Sequence, residues 1–231
     1  MSDFVFVVAK GKFVANSLLP ATNDALALEL FNSTNLETDL ALDNRLTVND
    51  ITSGTSATTV KCDSTNYAAR TDASCGTTNG SATVTDTSIT ALDAGKGVTG
   101  SNVPAGTYVG TVTAGVSFKL SSSQTAQVDV NATGTGTVSL VIGGAVPLSG
   151  ITVTPDYTND WQTCDANDVQ IPFLGGATNH AIGKAAICYD PDTTVSGTHD
   201  SSRVPQTGHD FSATPDGSTL IASISNFGRA A

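Results

Sequence analysis

Two His-Asp dipeptides, His199-Asp200 and His209-Asp210, stand ten residues apart. Imidazole beside carboxylate is the pairing that binds a divalent metal or exchanges protons. Nothing in the sequence fixes a third ligand or a nucleophile. The stretch between them, SSRVPQTG, reads as loop, so the preferred reading is polar loop anchoring. Asp190, Asp192, Thr194 and Asp200 are spaced like oxygen ligands for calcium. An EF-hand beginning at Asp190 would need Gly at 195 and Glu at 201, and the chain has Val195 and Ser201. Gly95-Lys96-Gly97 fails as a phosphate-binding loop, because Thr90 and Gly97 stand where Gly and Ser or Thr are required. No G-x-S-x-G elbow is present, and Glu29 and Glu37 are the only glutamates. The sole tryptophan, Trp161, lies near Tyr157 and among Asp156, Asp160, Asp165 and Asp168. A sugar could stack there, but packing is the commoner use of one Trp. No catalytic residue, cofactor or metal is expected.

Cys62, Cys75, Cys164 and Cys188 show no C-x-x-C spacing of the kind structural zinc uses. Free, buried thiols are the preferred reading. Pairing Cys62 with Cys75 and Cys164 with Cys188 stays open for an oxidising exterior.

The elements that must carry these residues are mostly strands. Ala181 to Tyr189 is a strand-length apolar run between Gly175-Gly176 and Asp190-Pro191, and it reads as the central strand. Ser218 to Phe227, alternating through Asn226, looks like its partner. Ala25–Phe31, Ile151–Thr154 and Val169–Phe173 are further strands. Near the start, Val7, Gly11, Val14 and Leu18 fall on one helical face, whereas Val5 to Val8 favour a strand. A short helix is expected there. A second, acidic one is expected within Leu36 to Val48.

From Gly76 to Gly143 the composition shifts to Ser, Thr, Gly, Val and Ala, with three aspartates against two lysines. Period-2 alternation in Ala82–Asp86, Tyr108–Val112, Val116–Leu120, Val128–Val130 and Val138–Ile142 is separated by Gly-containing turns. That spacing means a small antiparallel sandwich or barrel. The acidic, aromatic-containing style on both sides implies one interrupted domain. The expected fold is therefore mainly β: an α+β base from residues 1–75 and 144–231 with a short N-terminal helix, and an inserted β module at 76–143.

The net charge of −11 disfavours nucleic acid and anionic membrane as partners. No apolar run is long enough for a membrane helix. The N-terminus lacks signal-peptide character, so synthesis in a cytoplasm is expected.

Both ends of the chain have a recognisable character. AKGKFVANSLLPATNDALALELFNSTNLETDLALDN, NYAAR at Asn66 to Arg70, and GGATNHAIGKAAICYDPDTTVSGTHDSSRVPQTGHDFSATPDGS resemble virion structural proteins of tailed bacteriophages, especially of actinobacterial hosts. NGSATVTDTSITALDAGKGVTGSNVPAGTYVGTV is similar to a β module that recurs inside many phage structural proteins. The resemblance implies a non-enzymatic minor capsid or decoration protein on the outer surface of the head, binding the major capsid protein as a homotrimer. The alternative is a tail-associated protein whose module touches the host surface. Val7, Val14, Tyr189, Asp190 and Asp192 are the expected contact residues for the shell or sister copies.

Overall fold

The computed structural model describes residues 3–158, 161–225 and 227–230. Asn226 and Asp160, which entered two of the expectations above, lie outside them. Among the described residues the fold is mainly β, with several antiparallel sheets and three short α-helices.

The base is built on a five-stranded sheet. Its strands are β1 (Phe4–Val5), β2 (Ala25–Asn32), β9 (Ala145–Pro147), β13 (Ile182–Asp190) and β14 (Val204–Ala213), in the order β1-β14-β13-β2-β9. β2 is buried at every position because both faces of the sheet are covered. Leu26, Leu28 and Leu30 face the main core with Ile187, Phe13 and Leu174. Phe31, Ala186 and Cys188 face a second cluster containing Phe6, Leu42, Val48 and Ile51. That explains why ALALELF does not alternate.

The central strand was legible; its partner was not. β13 pairs with β14 and β2, whereas Leu220–Ala222 (β15) pairs with Val169–Ile171 (β12). Pro205 and Gly208 concealed β14. Pro205 sits opposite Cys188 at a register shift, where a missing amide is tolerated. Gly208 faces the Phe4 ring so closely that a Cβ would come within 2.7 Å of it.

The N-terminal segment is not one continuous helix. A 3-10 turn, Val7–Ala9, is followed by Gly11 at φ 88° and by α1 (Phe13–Ser17). The acidic helix is α2 (Asp39–Asp43), and α3 (Val48–Ser53) follows it unanticipated. α3 is closed by a capping box: Thr47 Oγ1 accepts from the Asp50 amide, and the Thr47 amide donates to Asp50 Oδ2, each at 3.1 Å. Its next amides, on Val48 and Asn49, donate to Arg203 O and Asp200 O at 3.0 and 2.8 Å. A small sheet of β10 (Thr152–Asp156), β11 (Trp161–Asp165) and β16 (Gly228–Ala230) completes the base.

The second large sheet comes wholly from residues 70–142. Its strands are β3 (Arg70–Thr77), β4 (Thr83–Thr85), β5 (Val98–Gly100), β6 (Tyr108–Thr113), β7 (Ser117–Ser121) and β8 (Gly136–Ile142), ordered β5-β8-β3-β4-β7-β6. It curls into a half-barrel until its edges meet at a Gly97–Tyr108 bridge. The interior holds a separate core that includes Val84, Phe118, Leu120 and Leu140. Arg70 pairs with Ile142, so the chain enters and leaves this unit at neighbouring residues. Its edge strands also touch the base. The Gly100 amide donates to Thr193 O at 2.9 Å, and Tyr108 Oη donates to Pro147 O at 2.5 Å. Gln124 acts as a substitute strand: Oε1 accepts from the Gln170 amide at 2.9 Å and Nε2 donates to Gln170 O at 2.6 Å.

Among the described residues, no helix is long and apolar enough to cross a membrane.

Candidate functional site: a buried ion-pair centre

The chemistry-bearing residues of the base converge behind β2. Glu29 projects from the middle of that strand and is fully buried. Asp190 ends β13, and Arg203 immediately precedes β14; both are buried. The Arg203 guanidinium spans the two carboxylates. Nη1 donates to Glu29 Oε1, and Nη2 donates to Asp190 Oδ2 at 3.0 Å. Lys61 Nζ lies 3.1 Å from Glu29 Oε2 and 3.0 Å from Asp200 Oδ1. Burial would lower the Lys61 ammonium, but Glu29 and Asp200 outweigh it and raise its pKa. Burial likewise opposes the Arg203 charge, and Glu29 and Asp190 reverse the effect.

His199 completes the centre from the loop joining β13 to β14. Its φ of 61° is left-handed, a strained setting for a residue with a Cβ. The Nδ1 atom lies 2.8 Å from Asp190 Oδ2 and Nε2 lies 2.9 Å from Val195 O. Both neighbours carry acceptor oxygens, and the ring bridges them. Three anions, Glu29, Asp190 and Asp200, face two cations, Lys61 and Arg203, and the His199 ring. Burial works to raise the Asp190 carboxyl, but the His199 hydrogen bond and the Arg203 charge together hold it below the ordinary carboxylate range.

A cavity of about 20 Å³ adjoins the centre, bounded by Arg203, Asp190 and Lys61 on one side and by Ala27, Gly97 and Gly144 on another. That volume admits roughly one water molecule. The arrangement is suited to locking the β13–β14 loop and α3 onto the sheet, and has no room for an organic substrate.

The other sequence candidates separate. His199 and Asp200 point to different partners. His209 Nε2 lies 2.8 Å from Thr207 Oγ1, and Asp210 Oδ1 accepts from Lys184 Nζ at 2.9 Å. The suggested calcium ligands are also engaged: Asp192 Oδ1 accepts from the amide and hydroxyl of Thr194 at 3.0 and 2.6 Å. Of the expected contact residues, Val7 is exposed and Val14 is packed against the main core. Tyr189 is half-buried and donates to Asp24 Oδ2 at 3.0 Å. Asp190 must be corrected: it is buried, and its carboxylate is spent on His199 and Arg203, so it offers no contact surface. Trp161 Nε1 donates to Asp156 Oδ2 at 3.0 Å, while Tyr157 is exposed.

All four cysteines are free and buried. Cys62 and Cys164 belong to the main core, Cys75 to the half-barrel and Cys188 to the second cluster, so the open pairings fall across separate cores or clusters.

Sequence reasoning missed Arg203, Lys61 and Glu29 as partners. A lone glutamate inside an otherwise apolar strand was the available signal, because a buried charge requires a counter-charge. Compared with family models, with curated proteins and with solved structures, the chain matches none, so its site is read from its own residues.

Proposed function

We propose that this chain is a non-enzymatic structural component of a tailed-bacteriophage particle, a minor capsid or decoration protein that binds the outer surface of the assembled head. The observation that carries the reading is the joint at Arg70 and Ile142. It sets a half-barrel with its own core onto a base whose buried charges are paired internally. A base that grips a shell and a module that projects from it fit that division. The sequence resemblance supports the same class of protein. The base carries exposed apolar side chains at Val7, Leu18, Leu40 and Leu46 that suit contact with the major capsid protein or with sister copies in a trimer. A protein that binds only the assembled shell stabilises it by mass action, repeated at each copy. The net charge of −11 favours an outward-facing position over one against packaged DNA.

Copy number and location in purified particles test this. Quantitative mass analysis with antibody labelling in the electron microscope should find many copies spread over the head. A few copies confined to the tail would replace the proposal with the tail-associated role.

A further inference from the structure

A second polar cluster lies inside the half-barrel, away from the base centre. Along a regular strand, residues three apart face opposite sides. Asp72 and Cys75 do not, because β3 is bulged between them: Asp72 pairs with Leu140, and Cys75 pairs with Val138. Two residues, Ala73 and Ser74, therefore oppose Ser139 alone, and the extra one returns Cys75 to the side of Asp72. Asp86, just beyond β4, completes a trio whose ligand atoms all lie within 4.8 Å of one another.

One atom of this trio lacks a hydrogen bond. Asp86 is 2% exposed, and its Oδ2 accepts no hydrogen bond; Arg70 Nη2 stands 3.6 Å away. Cys75 is fully buried, and its thiol donates a long hydrogen bond to Asp72 O at 3.9 Å. A buried carboxylate oxygen that accepts no hydrogen bond is costly unless something else satisfies it.

The local charge points the same way. Asp72, Asp86 and Asp93 face Arg70 and Lys96, which leaves one negative charge unmatched. With Cys75 as thiolate the excess becomes two, the charge of one divalent cation. Ser88, exposed and hydrogen-bonded to both Asp72 and Asp86, marks the solvent side from which an ion would enter.

We propose that Asp72, Cys75 and Asp86 form a binding site for a thiophilic divalent cation of the zinc class. One sulfur and two carboxylate ligands select zinc or cobalt over calcium and magnesium, which take oxygen alone. Solvent supplies the fourth ligand. On binding, the Cys75 proton leaves to solvent, and Arg70 keeps its bond to Asp93, 3.2 Å away. The site would fasten β3 to the β4 turn.

Cobalt titration of the full chain, stripped with chelator and held in a non-thiol reductant, is the test. Wild type should develop one equivalent of thiolate-to-cobalt charge-transfer absorption, displaced by zinc. C75S should abolish the band. D86N, which keeps the thiol, should weaken binding by more than about tenfold. Circular dichroism would establish that each variant is folded. Absence of the band in folded wild type, survival of the band in C75S, or unchanged affinity in D86N would each overturn the proposal.

Discussion

His199 and Arg203 share one oxygen. Nδ1 of the histidine and Nη2 of the arginine both lie within 3.0 Å of Asp190 Oδ2, where solvent scarcely reaches. Two nitrogens on a single carboxylate oxygen fasten both ends of the β13–β14 connection to one point.

Removing Arg203 takes a cation from two buried anions at once, leaving Glu29 with Lys61 and Asp190 with His199. Arg203→Met should cost about 3–5 kcal/mol in urea unfolding. Glu29→Gln combined with Arg203→Met should cost less than the sum of the single changes, because one under-compensated buried anion is then gone.

His199→Ala should loosen the loop by removing its ring bonds from Asp190 and Val195. His199→Asn should be milder, since Asn tolerates the left-handed backbone and keeps an N–H donor. Hydrogen exchange of the Ser202 and Arg203 amides, both bonded to His199 O, would report the order.

Stability should fall on both sides of neutrality. The folded Asp190 carboxyl titrates below its unfolded value, so the unfolded chain takes the proton first as pH drops. This contribution is full above about pH 4 and is lost as pH falls toward the folded value. Asp190→Asn should flatten the acid limb of a stability–pH curve. On the alkaline side, in the metal-free chain, burial and the Asp72 and Asp86 charges push the Cys75 thiol up to about 12. Its contribution is present below the unfolded thiol value of about 8.5 and is lost as pH rises beyond it. Cys75→Ala should flatten that limb.

Gln124→Ala should detach the half-barrel from the base at one edge without unfolding either. The Gln170 amide loses its acceptor, so its hydrogen exchange should accelerate, with about 1–3 kcal/mol lost in global stability. Unchanged exchange at Gln170 would show that the clamp carries no load.

What the sequence made legible was whatever local pattern governs. The apolar run Ala181 to Tyr189 announced β13, and period-2 alternation announced β6 and β8. What it hid was set by distant partners. β14 contains Pro205 and Gly208, unfavourable in isolation, and both are accommodated by a register shift and by the Phe4 ring. β3, which reads RTDASCGT, has little apolar alternation because its bulge breaks the period. The buried centre unites Glu29 with Arg203 across 174 residues, a pairing no spacing rule reaches. The His-Asp dipeptides drew notice through adjacency, yet His199 takes its carboxylate from Asp190 and leaves Asp200 to Lys61.

The adjacency of Arg70 and Ile142 bears on the order in which the chain assembles. β2 leaves the ribosome long before β13, its partner in the base; Asp24 and Tyr189, which bond across that pair, are 165 residues apart. Residues 70–142 emerge between them, and every strand partner in their sheet lies within that span. The half-barrel can therefore fold while the base is still incomplete. Once it has folded, its closed ends shorten the effective loop between β2 and β13, lowering the entropy that their meeting must overcome.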